Sequence, residues 1–335
     1  MRCAPRVSKT VNKPINKPVA HPGMRVRPPI DKLEQPVTTE QQLSETLDSN
    51  TLAGQMALNS FYLRELAPPS APETVPLLAD YIRIQTLESE WSRYEASRIE
   101  LDSVPADAEQ FEEWYVALRN VHRKEVSPFF DFLAEEASLP QLSLFVSLEA
   151  QVDGRFDDII ALSQLGMDGD MKLALAENYW DEMGLGELDE MHTRTFMRAS
   201  PFFRAQLGDL DLDAEMPVAA LKNGNLLLMY ALRRQHVGRL LGALTLLEQT
   251  VPYRFTRMLK GMQRHGVPKE FRYYHELHVP VDANHGKQLV ARVLMPLARR
   301  NPQIIRDLCE GCLIRYQIEK EYYAGARDVM DRRLH

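Results

Sequence analysis

The chain holds nine histidines, and four of them fall between His265 and His285. The pattern His278-x-x-x-Asp282-x-x-His285 spaces two imidazoles and one carboxylate four and three residues apart. On a helix, at about 100° per residue, these positions lie within roughly 60° of one another and project from one face. A metal ion needs several donors converging from a rigid support, and this face supplies three. The same spacing also describes three polar residues on a solvated helix face. Pro280 lies inside the span. Without an N–H it should unwind the first turn or mark the helix start, leaving His278 just before it.

Carboxylates earlier in the chain shift the balance toward metal. The segment Asn178-Tyr179-Trp180-Asp181-Glu182-Met183-Gly184 reads as a helix ending at Glu182. The bend at Gly184-x-Gly186 can bring His192 back toward that glutamate. Glu248 closes an apolar run from Leu240 to Leu247. Either it is a helix-end acid open to water, or it faces an interior and needs a partner, because an unpaired buried charge is costly. Glu182, Glu248, Asp282, His192, His278 and His285 together form a carboxylate-rich N/O donor set. Such a set suits iron or manganese better than a thiolate-preferring metal. Helical bundles build two-metal sites from inward Glu and His residues on facing helices.

Competing chemistries have weaker support. Cys309-Glu310-Gly311-Cys312 is a CxxC without the strand-to-helix context of a redox motif and without the second pair of a zinc site. Structural thiols are the expectation there. No GxxxxGK[ST], GxGxxG or GxSxG occurs, which lowers the case for nucleotide-phosphate and serine-hydrolase chemistry. Asp209–Glu215 is an acidic solvated loop or helix entry rather than a calcium loop. Trp91/Tyr94 and Trp114/Tyr115 sit at helical spacing and read as core.

The elements that must position these residues are helices. Apolar residues recur at three and four from Thr51 onward, and no convincing period-2 strand is found. The reading is an all-α, multi-helix bundle. One long helix is expected over Asn225–Glu248, stopped near Pro252, and Pro268 opens the next element. The first ~36 residues differ. They hold seven of the 21 prolines, and eight Lys/Arg against Asp31 and Glu34. A loose basic tail is expected there, without the apolar core of a secretory signal. The division is residues 1–50 as tail, 51–140 as N-terminal helices packing on the core, and 141–330 as the core itself. At 44% hydrophobic and 26% charged residues, a wholly disordered chain is ruled out. A net charge of -7 argues against nucleic acid as a partner. No apolar run reaches the ~18–20 residues of a membrane span. Three cysteines exclude a disulfide scaffold and fit a reducing, cytoplasmic compartment.

The order Glu182, His192, Glu248 and His278-x-x-x-Asp282-x-x-His285, with NYWDEMG-x-G around its first member, resembles the ligand pattern of the heme-oxygenase-like diiron oxidases and oxygenases. The resemblance covers about Leu144 to Ala326. It implies a heme-oxygenase-like multi-helix bundle that binds two ferrous ions through those six residues and uses O2 as co-substrate. It also implies a small-molecule substrate, an electron donor to re-reduce the iron, and no membrane. It allows a homodimer. Family reactions include N-oxygenation of amines, oxidative C–C cleavage of amino acids and fatty-acid decarboxylation. Nitrogen-oxygenating members carry one extra carboxylate on the preceding helix. Glu149, Asp153 and Asp157, four apart on one helix face, are the candidates here. Leu227, Met229 and Leu241 could wall the oxidant from water, and Arg233, Arg234 and Arg254 are candidate carboxylate clamps for a substrate, although exposed arginines are commoner than clamps. Two other classes stay open: a metal-free enzyme of cofactor metabolism on a related fold, and a non-catalytic helical adaptor. Neither would need six metal donors.

Overall fold

The helical periodicity is realised throughout the computed structural model, which describes residues 47–67, 77–101 and 103–334. No strand occurs among the described residues. The basic proline-rich tail falls outside them up to residue 46. Residues 48–51 form a turn, with Ser49 buried, from which the first helix starts.

The helices are α1 (Leu52–Glu65), α2 (Leu78–Ala96), α3 (Ala108–Glu135), α4 (Leu139–Leu148), α5 (Ala150–Asp153), α6 (Phe156–Ser163) and α7 (Gly169–Glu182). Then come α8 (His192–Ala205), α9 (Val218–Leu232), α10 (Val237–Arg264), α11 (Lys269–Gln288), α12 (Met295–Arg300) and α13 (Ile305–Arg333). Side-chain caps set several starts. Thr51 accepts from the Gly54 N–H at α1, Asp107 from the Gln110 N–H at α3, and Ser138 pairs reciprocally with Gln141 at α4.

At the centre lies α10. Its run from Leu240 to Leu247 is buried, and it packs against α3, α9, α11 and α13. Each fully buried leucine there is worth roughly 1.5–3 kcal/mol. The N-terminal helices cover this core: α1 lies on α9, α2 on α1, and α3 on α10 and α13. Trp91 and Tyr115 are buried as expected, but Tyr94 is exposed and carries the Arg98 guanidinium over its ring.

Two expectations are corrected. The helix expected over Asn225–Glu248 is two helices. Arg233 leaves helical geometry with extended φ and ψ, and its guanidinium grips Glu88 of α2 through both carboxylate oxygens. A continuous apolar run hides such a break. Pro252 does not stop α10, and Pro280 neither starts nor ends α11, which begins at Lys269. A proline inside a helix costs about 3 kcal/mol. Twenty-eight residues of α10, buried on most sides, outweigh that cost. Pro268 does stand at the start of α11. No helix among the described residues is long and apolar enough to cross a membrane.

Candidate metal centre

The first half of the site is local. α7 ends at Glu182, and the next three turn residues, Gly184, Leu185 and Gly186, all have left-handed φ values of 59°, 54° and 92°. The chain folds back so tightly that a Cβ on Gly184 would stand 2.4 Å from the Glu190 carbonyl carbon. Only glycine fits there. Leu185 holds the same region as an L-residue, at a cost of about 1–2 kcal/mol. The turn delivers His192, the first residue of α8, to Glu182, with Nδ1 2.9 Å from Oε2.

The second half comes from α10 and α11. Tyr274, His278, Asp282 and His285 are buried along one face of α11, whereas Pro280 faces out. Gly286 lets that face approach α10. A Cβ on it would lie 2.6 Å from the Gln249 Cγ, and Gln249 Nε2 donates to the Gly286 carbonyl at 2.9 Å. Glu248, the neighbour of Gln249, is thereby set against His285, Oε2 to Nδ1 3.7 Å. Its other oxygen accepts from Asn178 Nδ2 at 2.8 Å.

All six residues picked out by spacing meet in the interior, each at most 4% exposed. Five of them form two overlapping groups, with Glu248 set against His285. Donor atoms of Glu182, His192 and His278 lie within 4.8 Å of one another, and so do those of Glu182, Asp282 and His285. Glu182 belongs to both. The rings of His192 and His278 are 4.4 Å apart, and His285 Nδ1 is 3.8 Å from Asp282 Oδ1.

Oxygens outside the cluster orient the histidines. His278 Nδ1 donates to the Tyr274 carbonyl at 2.7 Å, which leaves Nε2 for the cluster. His285 Nε2 donates to Asp181 Oδ2 at 2.8 Å, which turns Nδ1 inward. Such acceptors fix the tautomer of a metal-ligating histidine and raise its basicity.

The bare residues are poorly matched to one another. Burial lifts the Glu182 carboxyl above its usual range, and burial with Glu248 and Glu182 nearby lifts Asp282 well above. Burial and His192 push His278 well below the ordinary histidine value. Burial opposes charge on His285 too, but Glu248 and Asp181 overcome it and raise that imidazole to about 9. Glu182 Oε1 and His285 Nδ1 are buried without hydrogen bonds, and His192 Nδ1 has only the poorly aligned Glu182 Oε2 at 2.9 Å. Carboxyl groups and imidazoles crowded out of water, with ring nitrogens and a carboxyl oxygen left without aligned hydrogen bonds, are what a cation would satisfy. The donors present therefore fit a bound metal.

Residues 143–320, which include every member of this cluster, match the sequence family of iron-containing redox enzymes. The chain belongs to that family. No curated protein matched it. As an iron-containing redox enzyme on a helical bundle, it has the heme-oxygenase-like fold that the resemblance implied.

Spacing alone did not single out two partners in this redox enzyme, Asp181 and Asn178. Both lie in the segment that ends at Glu182, and Asn178 shares a helix face with it at i, i+4. That spacing was the available signal. Of the three candidate extra carboxylates, Glu149 is taken by Arg254 and by Tyr322 Oη. Asp157 sits at the start of α6. Asp153 alone keeps a buried oxygen without a partner, and its carboxyl, raised by burial and by Glu149, also feels Glu182. The expected arginine clamps are all engaged elsewhere: Arg233 with Glu88, Arg234 with the Leu165 carbonyl, Arg254 with Glu149. Leu227, Met229 and Leu241 are buried in the core of α9 and α10. Cys309 and Cys312 are buried on α13, and burial pushes the Cys309 thiol up to about 12, so both stay protonated.

Proposed function

We propose that this iron-containing redox enzyme is a non-heme diiron oxidase or oxygenase that uses O2 to oxidise a small amine, amino acid or fatty-acid-like molecule. The observation that carries the reading is the position of Glu182 in both donor groups. A carboxylate has two oxygens, so one residue can serve two ions at once. Glu182, His192 and His278 would hold one ion. Glu182, Asp282, His285 and Glu248 would hold the other, with Asp153 available as a further donor. A ferrous pair in such a site supplies electrons to dioxygen.

The chain's own contribution is positional and electrostatic. Three buried carboxylates, Glu182, Glu248 and Asp282, offset most of a four-plus charge. Asn178 holds one oxygen of Glu248 and so limits how that carboxylate can swing. The Tyr274 carbonyl and Asp181 keep the two α11 imidazoles aimed inward. The buried leucines and aromatics around α10 and α11 exclude water. The reading includes an external electron donor among the partners. A metal-free enzyme or an adaptor would gain nothing from six buried donors that satisfy one another so poorly.

The test is anaerobic reconstitution with ferrous iron, read as iron per chain beside circular dichroism. About two irons per chain are expected. Glu182→Ala removes a donor common to both positions and should bring the content close to zero. Glu248→Ala should spare one position. Binding of no iron by folded wild-type protein would sink the reading.

A further inference from the structure

A cavity of about 550 Å³ opens beside the donor cluster, between the Gly184–Glu190 turn and the outer face of α11. Two of its wall residues tie it to the centre. His192 is 4% exposed, its Nδ1 faces Glu182 Oε2 at 2.9 Å, and it also belongs to one donor group. Asp181 is the oxygen partner of His285. A volume of this size suits a small molecule.

The wall has a one-sided chemistry. Leu185, Leu277, Pro280 and Val281 give it an apolar surface. It carries the three carboxylates of Asp181, Glu187 and Glu190, and no lysine or arginine lines it. Asp181 accepts from His285, and Glu190 accepts from Tyr273 Oη at 2.6 Å. Glu187 is exposed and has no ion-pair partner among the described residues. Arg233, Arg234 and Arg254 are committed to Glu88, Leu165 and Glu149, and Arg194 and Arg198 beside the turn are engaged by Asp189. A carboxylate entering here meets three like charges on the wall, with Arg198, which donates to the Asp189 carbonyl, the cation that acts on Tyr273 from behind it. A protonated amine meets the reverse.

We infer that the cavity takes an aliphatic primary amine, its alkyl body on the Leu185–Leu277–Val281 surface and its ammonium held by the wall carboxylates, with Glu187 the one free to pair. The inference rests on the diiron reading for the oxidation that follows binding, whereas the binding itself belongs to the cavity. It narrows three substrate classes to one.

The test is calorimetric titration of octylamine, octanoate and octanol into the full chain, metal-free and loaded anaerobically with ferrous iron, with iron per chain measured on the same samples. Octylamine should bind at least about tenfold tighter than octanoate and tighter than octanol, since like-charge contact is penalised. Binding should weaken between about 0.05 and 0.5 M salt, as exposed electrostatics are screened. Glu187→Gln should weaken octylamine by roughly three- to fivefold, and Glu187→Lys should shift the preference toward octanoate. Equal affinity for octanoate or octanol, or indifference of octylamine to Glu187→Lys, would overturn the inference even with two irons bound. Amine selectivity in a chain that takes up no iron would uphold the cavity assignment and overturn the diiron reading alone.

Discussion

His278 and His285 face the donor cluster through different ring nitrogens, and in each case an oxygen outside the cluster makes the choice. For His278 the oxygen is a backbone carbonyl one helical turn back, which no substitution removes. For His285 it is the Asp181 side chain, so this link can be cut. Asp181→Ala should leave the helical fold intact and weaken iron binding by about 10–100-fold, the usual cost of losing such a partner. Competition with a chelator, alongside circular dichroism, measures it; an unchanged iron affinity would show that Asp181 does not position His285. The residues of the cluster were legible because their periods are local: four and three along α11, and a glycine bend between Glu182 and His192. Asp181 was not, because the histidine it serves is 104 residues away. Nothing in the sequence near Asp181 distinguishes a surface acid from one that reaches inward to another helix.

At the scale of elements, the site depends on how closely α10 and α11 approach. Gly286 sets that distance, since any Cβ there meets Gln249 of α10. Gly286→Val should push the helices apart, costing roughly 1–3 kcal/mol of stability as overpacking does. It should also lower iron content, because Glu248 and His285 face each other across that contact. Thermal unfolding and iron per chain check both parts, and a variant that loses stability yet keeps its iron would separate the contact from the centre. The fold class was legible for a simple reason: helical periodicity repeats along nearly every described segment. The boundaries were less so. The break at Arg233 depends on a glutamate of α2 distant in sequence, and Pro252 and Pro280 persist inside helices because tertiary burial outweighs their local cost.

At the scale of the molecule, a second buried polar cluster ties the helices together. Glu319 of α13 contacts His122 of α3 at 2.7 Å and Arg315 at 2.8 Å, and Arg254 of α10 bridges toward it from Glu149. Burial raises the Glu319 carboxyl's cost of charging, but Arg315, His122 and Arg254 outweigh it and hold the group at about 2, against 4.5 unperturbed. A folded-state value below the unfolded one means stability that is full above about pH 4.5 and is lost as pH falls toward 2. The loss is roughly 3 kcal/mol. Urea unfolding at a series of pH values should show it. Glu319→Gln should be less stable at neutral pH, since it leaves buried cations uncompensated, and should show a shallower decline through the acid window. An unchanged slope would remove Glu319 from the account of acid sensitivity.

Asp181 stands in two places at once: it is the hydrogen-bond acceptor for His285 and part of the cavity wall. A cation settling against its carboxylate competes for the lone pairs that hold the imidazole. In the proposed reading, occupancy of the cavity and occupancy of the metal centre are then thermodynamically linked. By whatever factor a bound amine alters the affinity for iron, iron alters the affinity for the amine by the same factor. A single aspartate would thus let the enzyme register whether something is present to be oxidised before oxidising power is committed.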